Sequence, residues 1–222
     1  MSLFPNRKEE RMTAYVDHEI APFAYNLLIG GVLLYGFVLN ILFVTFLGGA
    51  FALMNPIVFL FTYIVMAVFG TVMANLSQNP IVSFIGYNFV VVPIGAVLSL
   101  LLPEYSAAVI MPSIVVTAVI VAAMLIVATI LPKFFAKLGR ALLVTLIVAI
   151  VAEVVAALLG YRGTAFSWIF VILFSLYIGF NWSRAQRYPK TVDNAVDSAL
   201  DIYLDIINLF IRLLDLFRSK RR

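Results

Sequence analysis

Seven long apolar stretches set the terms for this chain: Phe23–Leu47, Pro56–Asn75, Ile81–Leu102, Ala107–Leu131, Ala141–Leu159, Ala165–Asn181 and Ala195–Phe217. They run from 17 to 25 residues. A helix needs roughly 20 residues to cross the hydrocarbon of a bilayer, so each is a candidate span. Only helices and closed barrels satisfy their backbone in lipid, and these stretches lack the two-residue alternation of barrel strands. Composition agrees, with 64% hydrophobic residues and 12% charged ones. A soluble fold is nearer half apolar and a quarter charged. The fold expected is an all-α integral membrane protein with seven transmembrane helices.

The connections are short, which makes successive helices antiparallel neighbours. Ser77, Asn79 and Pro80 mark one turn, Pro103–Ser106 another, and Arg162-Gly163-Thr164 a third. Pro132-Lys133 reads as the end of the fourth helix, followed by a basic loop. Residues 1–22 form a short lead-in, 23–217 a single membrane domain and 218–222 a basic tail. The lead-in mixes Arg7, Lys8 and Arg11 with Glu9, Glu10, Asp17 and Glu19, too acidic for a signal peptide. Pro93 and Pro112 read as packing kinks or as hinges beside a pathway. Gly30-Gly31 and Gly36 in the first helix read as close helix–helix contact.

Lys and Arg fix the orientation. Three lie in the N-terminal tail, three after the fourth segment (Lys133, Lys137, Arg140) and three after the sixth (Arg184, Arg187, Lys190). If every segment spans, all nine share one side, so the N-terminus is expected in the cytoplasm. Arg218, Lys220, Arg221 and Arg222 would then face outward. Either the early charges dominate or the last segment is re-entrant.

That last segment is unlike the others. Five of the six aspartates fall in the final 30 residues. Asp201, Asp205, Asn208, Arg212 and Asp215 recur every three or four residues and share one helix face. A charge at the bilayer centre costs at least roughly 2.5–3.5 kcal/mol, so this stripe must face other helices or water. The last helix is therefore expected at the centre, wrapped by the other six. Asp201 and Asp205, one turn apart, would share a proton or hold a cation between them. Paired carboxylates suit calcium, a hard cation that takes oxygen ligands. A structural network with Arg212 and Asn208 is the competing reading.

Glu153 is the only acid in the first six segments, and is either protonated or in reach of Arg212. Asn40, Asn88 and Asn181 offer amides for interhelical hydrogen bonds. Tyr161, Trp168, Trp182 and Tyr188 read as interfacial anchors. The chain has no cysteine and one histidine, His18, which excludes a thiolate site, a histidine zinc cluster and a His-Glu-x-x-His protease. No Gly-x-Gly-Asp motif is present, and no enzyme or cofactor is expected. The net charge of +4 is spread over loops and tails, so nucleic acid is not an expected partner.

Three stretches resemble the bacterial branch of the Bax inhibitor (transmembrane Bax inhibitor motif) family. The most specific is Asp201-Ile-Tyr-Leu-Asp205-Ile-Ile-Asn208-Leu-Phe210, preceded by residues 191–200. Phe174-Ser-Leu-Tyr-Ile178 and Tyr25–Gly36 support it. The resemblance implies a seven-helix fold around a central last helix and a pH-sensitive calcium leak, with suppression of cell death in eukaryotic members. It also implies a sensor made of two aspartates. One carries over to Asp205; where the other is expected, this chain has Asn181. Residues 47–132 contain no Lys or Arg that could latch such a pair.

Two functions follow as expectations. One is a calcium-permeable, proton-gated pathway through Asp205, Asp201, Asn181, Glu153, Asn208 and Arg212. The other is a non-transporting regulator that binds other membrane proteins, such as a membrane protease. With no cleavable leader or sorting tail recognised, a bacterial plasma membrane is the expected compartment.

Overall fold

The computed structural model describes residues 19–52, 54–161 and 164–219, and no strand occurs among them. Seven long helices follow one another: α1 (Pro22–Phe46), α2 (Pro56–Leu76), α3 (Pro80–Leu101), α4 (Ala107–Ile130), α5 (Pro132–Leu158), α6 (Ala165–Ala185) and α7 (Val192–Ser219). A one-turn helix at Gly48–Ala52 and a 3-10 turn at Leu102–Glu104 lie between them. Helices α1 to α6 are each long and apolar enough to cross a membrane. Helix α7, at 28 residues, is longer still but carries the charged stripe. The His18, Arg162 and residue 1–18 and 220–222 readings lie outside the described residues.

Proline and asparagine punctuate the helices. Pro22, Pro56, Pro80 and Pro132 each occupy the first turn, where a missing N–H costs no hydrogen bond. Asn55 accepts from the backbone N–H of Ile57 at 2.9 Å, and Asn79 does the same for Ile81 at 2.9 Å. Helix α3 runs on through the buried Pro93.

Two expectations about local structure are corrected. Pro132 does not open a basic loop but begins α5, so Lys133, Lys137 and Arg140 stand on its exposed first turns. Its fixed φ favours a helix start as much as it bars helix continuation. Gly30 and Gly31 make no close contact: a Cβ at either would meet nothing within 4 Å, because both face outward with Leu27 and Leu34.

The fold divides into two compact units. The first holds α1, α2, α3 and α7 up to Leu200. Here α2 and α3 meet at glycines: a Cβ on Gly70 would lie 2.5 Å from the Gly86 carbonyl oxygen. A Cβ on Gly95 of α3 would lie 2.9 Å from Asn40 Oδ1 and 3.1 Å from Phe43 Cγ of α1. Tyr87 donates to the Val32 carbonyl at 2.9 Å, and Tyr35 to Asn88 at 2.7 Å, which stitches α3 to α1. The second unit holds α4, α5, α6 and α7 from Asp201 onward. Helices α5 and α6 meet at Gly139 against Phe180 and at Gly179 against Phe135. Trp182 donates to Thr129 at 2.9 Å, tying α6 to α4. Trp168 and Tyr161 are exposed, whereas Tyr188 is buried and so is no interfacial anchor.

Candidate functional site on the last helix

Within the second unit, every charged side chain of α7 from Asp201 to Asp215 meets a polar partner. Asp205 is buried, and its carboxylate accepts from Asn181 Nδ2 of α6 at 2.6 Å. One turn earlier, Asp201 pairs with Arg184 Nη2 at 2.6 Å. These contacts form a two-rung ladder between antiparallel helices. Asn181 and Arg184 are three apart on α6, and Asp205 and Asp201 are four apart on α7, so the rungs fall in register. The Arg184 guanidinium also lies 5.2 Å from the centre of the Phe180 ring.

Two turns beyond Asp205, Arg212 meets Glu153 of α5. Both terminal guanidinium nitrogens donate to the carboxylate, Nη1 to Oε1 and Nη2 to Oε2, the latter at 2.8 Å. The guanidinium lies 4.0 Å over the Phe170 ring, which fixes its plane. Glu153 sits near the end of α5 rather than in its middle, because α5 begins at Pro132. At the last turn of α7, Asp215 accepts from the Tyr105 hydroxyl at 2.9 Å, and Arg218 covers the same ring. Burial pushes the Tyr105 phenol up, and the Asp215 carboxylate adds to that.

The residues picked from sequence thus fall into separate groups. Asn181 joins Asp205, and Glu153 joins Arg212, but Asp205 and Arg212 are about 10 Å apart along the helix axis. Asn208 joins neither: it is exposed, and its Nδ2 donates to the carbonyl of Leu204 in its own helix at 2.7 Å. Among the described residues no three His, Cys, Asp or Glu side chains converge as a metal-binding group. Arg184, Tyr105 and Phe170 were not picked out as site residues. Arg184 carried no separate signal, since the sixth apolar stretch stops at Asn181 and the arginine reads as part of the loop that follows.

The first unit carries a second polar cluster, on the opening turns of α7. Ser83 donates to Asp193 at 2.5 Å, and the Tyr25 hydroxyl lies 3.2 Å from Ser198 Oγ. Lys190 stands 4.7 Å over the Tyr25 ring, and burial pushes its ammonium down.

Residues 22–222 match the family described as inhibitor of apoptosis-promoting Bax1. The chain belongs to the Bax inhibitor family. An 89-residue stretch is also 33% identical to an uncharacterized protein of Campylobacter jejuni. It covers 39% of this chain and 38% of that protein. As a Bax inhibitor family member with six strongly apolar helices, the protein is a multi-pass membrane protein. Asp205 lies on the stretch that most resembles this family, and its partner Asn181 lies three residues beyond Phe174–Ile178.

Proposed function

We propose that this protein is a pH-sensitive leak pathway for cations, calcium foremost, in a bacterial plasma membrane, with its N-terminus in the cytoplasm. It acts without catalysis. Its seventh span is α7, and its ion path follows α7 through the second unit. The observation that carries this reading is the buried Asp205 carboxylate, held by Asn181 and one turn from Asp201. Intramembrane carboxylates are expensive and mark ion or proton routes.

A full crossing by α7 is supported by the bond between Tyr105 and Asp215. Tyr105 precedes α4, and Arg184 ends α6. If α4, α5 and α6 each cross, those two residues lie on opposite sides, and α7 reaches both. At about 1.5 Å per residue its length also suffices.

The groups facing Asp205 define the gate. Asn181, Arg184 and Tyr177 face it from α6, and Asp201 from its own helix. Protonating Asp205 removes the charge that a cation would meet there. It also leaves Arg184 facing a single carboxylate instead of two. Calcium is the transported ion, met in passing by the oxygens of Asp201 and Asp205. Asn181 cannot take or release a proton, so one aspartate performs the sensing.

Calcium flux into dye-loaded liposomes tests this, scanned from about pH 5 to about pH 8 with Asp205→Asn beside the wild type. Flux that varies with pH in the wild type and loses that variation in the variant is the expected result. No flux above empty liposomes at any pH refutes the leak. The polar contacts of α7 would then be struts of a membrane regulator that binds other membrane proteins.

A further inference from the structure

The faces of α7 differ in an unexpected sense. Ile202, Tyr203, Leu209, Leu213 and Leu214 are buried, while Asp201, Leu204, Arg212 and Asp215 are partly exposed and Asn208 is exposed. Four of the five residues on the polar face are therefore at least partly open, and Asp205 among them is buried. Asn208 is the seventeenth residue of this 28-residue helix, far from either end. A face carrying Asp, Asn, Arg and Asp in the span of a membrane helix cannot be left to hydrocarbon. Water is the medium that fits it.

Arg212 and Glu153 stand at one end of this open face. Their side chains retain 23% and 33% of their exposure. Phe170, only 1% exposed, backs the guanidinium and holds it in place. Arg184 and Asp201 pair at the other end, with Asp205 and Asn208 between. An ion moving along the face therefore passes a fixed guanidinium–carboxylate pair at each end.

We propose that the open face of α7 is a water-filled crevice, and that Glu153–Arg212 is the charge filter at its far mouth. Because it supplies a selecting site on the proposed cation path, this inference rests on that reading of the function. A balanced pair admits ions with little bias. Either partner alone gives the mouth a net charge of one sign. Fixed charge in a low-dielectric cleft raises the local concentration of the opposite ion by about tenfold or more. The effect is squared for a divalent ion, since its energy in the same potential is doubled.

The chain contains no cysteine, so one introduced thiol reports on one position. The test uses Asn208→Cys protein in lipid nanodiscs, treated with a cationic and an anionic water-soluble methanethiosulfonate reagent. Leu209→Cys, at a buried position, is the control. The thiol at 208 should react and the one at 209 should not. Adding Arg212→Gln should raise the cationic-to-anionic rate ratio about tenfold. Adding Glu153→Gln should lower it by a similar factor, and the two together should restore it. A pair that is only structural would shift both reagents alike in either variant.

Calcium flux measured on the same proteins separates the two proposals. A thiol at 208 that does not react, or a ratio that stays constant, overturns the filter even where Asp205-dependent flux is present. A ratio that moves in protein without flux keeps the filter and refutes the leak. Thermal melts of the doubly substituted protein, whose net charge is that of the wild type, show whether it is folded.

Discussion

Gly179→Ala should break the Asp205–Asn181 contact without touching either residue. A Cβ at Gly179 would stand 2.3 Å from Cε1 of Phe135, about 1.1 Å short of ordinary contact. Phe135 is 1% exposed and packs edge-on against Phe134, so swinging its ring disturbs the packing around it. A shift of α6 against α5 relieves the overlap. Asn181 lies two residues from Gly179 and bonds Asp205 at 2.6 Å. A displacement of about 1.1 Å carries that distance beyond the range of a hydrogen bond, or into overlap if the helix moves the other way. Overpacking costs about 1–3 kcal/mol, and losing a bond to a charged group adds about 1.5–3 kcal/mol. A loss of about 3–5 kcal/mol is expected, read from denaturant unfolding in detergent micelles. Flux through the variant should lose its pH response as Asp205→Asn does. Phe135→Leu opens space beside the new methyl group and costs about 1 kcal/mol alone. The double variant should therefore be more stable than Gly179→Ala and regain the pH response. A Gly179→Ala protein within about 0.5 kcal/mol of wild type would refute this reasoning, since that is the scatter of substitutions that disturb nothing.

Further predictions concern the remaining contacts. Gly70→Ala places a methyl group 2.5 Å from a backbone oxygen of Gly86, which no rotamer change relieves, so a loss near the upper end of about 1–3 kcal/mol is expected in the same unfolding assay. Arg184→Gln deprives Asp201 of this ion pair, and should cost more than Arg184→Gln with Asp201→Asn, which removes both charges together. Both side chains retain some exposure, so the gap is about 1–2 kcal/mol, and equal stabilities would deny the pair any coupling. Tyr105→Phe removes the bond to Asp215 and about 1 kcal/mol with it. Because the folded protein raises the Tyr105 phenol above its unfolded value near 10, its contribution is complete below that pH and fades as pH rises through the folded value. Melting curves across the alkaline range should thus converge for wild type and Tyr105→Phe.

Six of the seven spans were legible because length and apolarity alone decide them, and proline and asparagine set several of the boundaries. Pro132 misled because one residue type both ends and begins helices, and only the next turn decides between them. Gly30-Gly31 misled because a small residue shows that close approach is allowed, not that a neighbour is present. The stripe on α7 was legible as a face, since helical spacing fixes which residues point together. Of its partners, Glu153 was legible as an acid in reach of Arg212 and Asn181 through the family resemblance, while Arg184 and Tyr105 were not. Arg184 reads as one charge in a basic loop until α6 is seen to extend to Ala185. The exposure of Asn208 was beyond reach as well, because a polar face can be turned toward water as readily as toward other helices.

Helix α7 can carry its charges because its neighbours complete them one by one. Asn181 and Arg184 come from α6, Glu153 from α5, and Tyr105 from the turn before α4. Each partner is neutral or opposite in charge to the group it meets. Asp205 differs from the others on α7. Asp201 and Arg212 are matched by full opposite charges, while Asp205 meets an amide. An amide bonds the carboxylate without cancelling its charge. The negative charge left over between two neutral ion pairs is what a cation on this path would meet, and adding one proton cancels it. A second aspartate at position 181 would double the number of titrating groups; an arginine there would abolish the charge. Asparagine keeps one carboxylate, orients it and leaves it able to take up a proton.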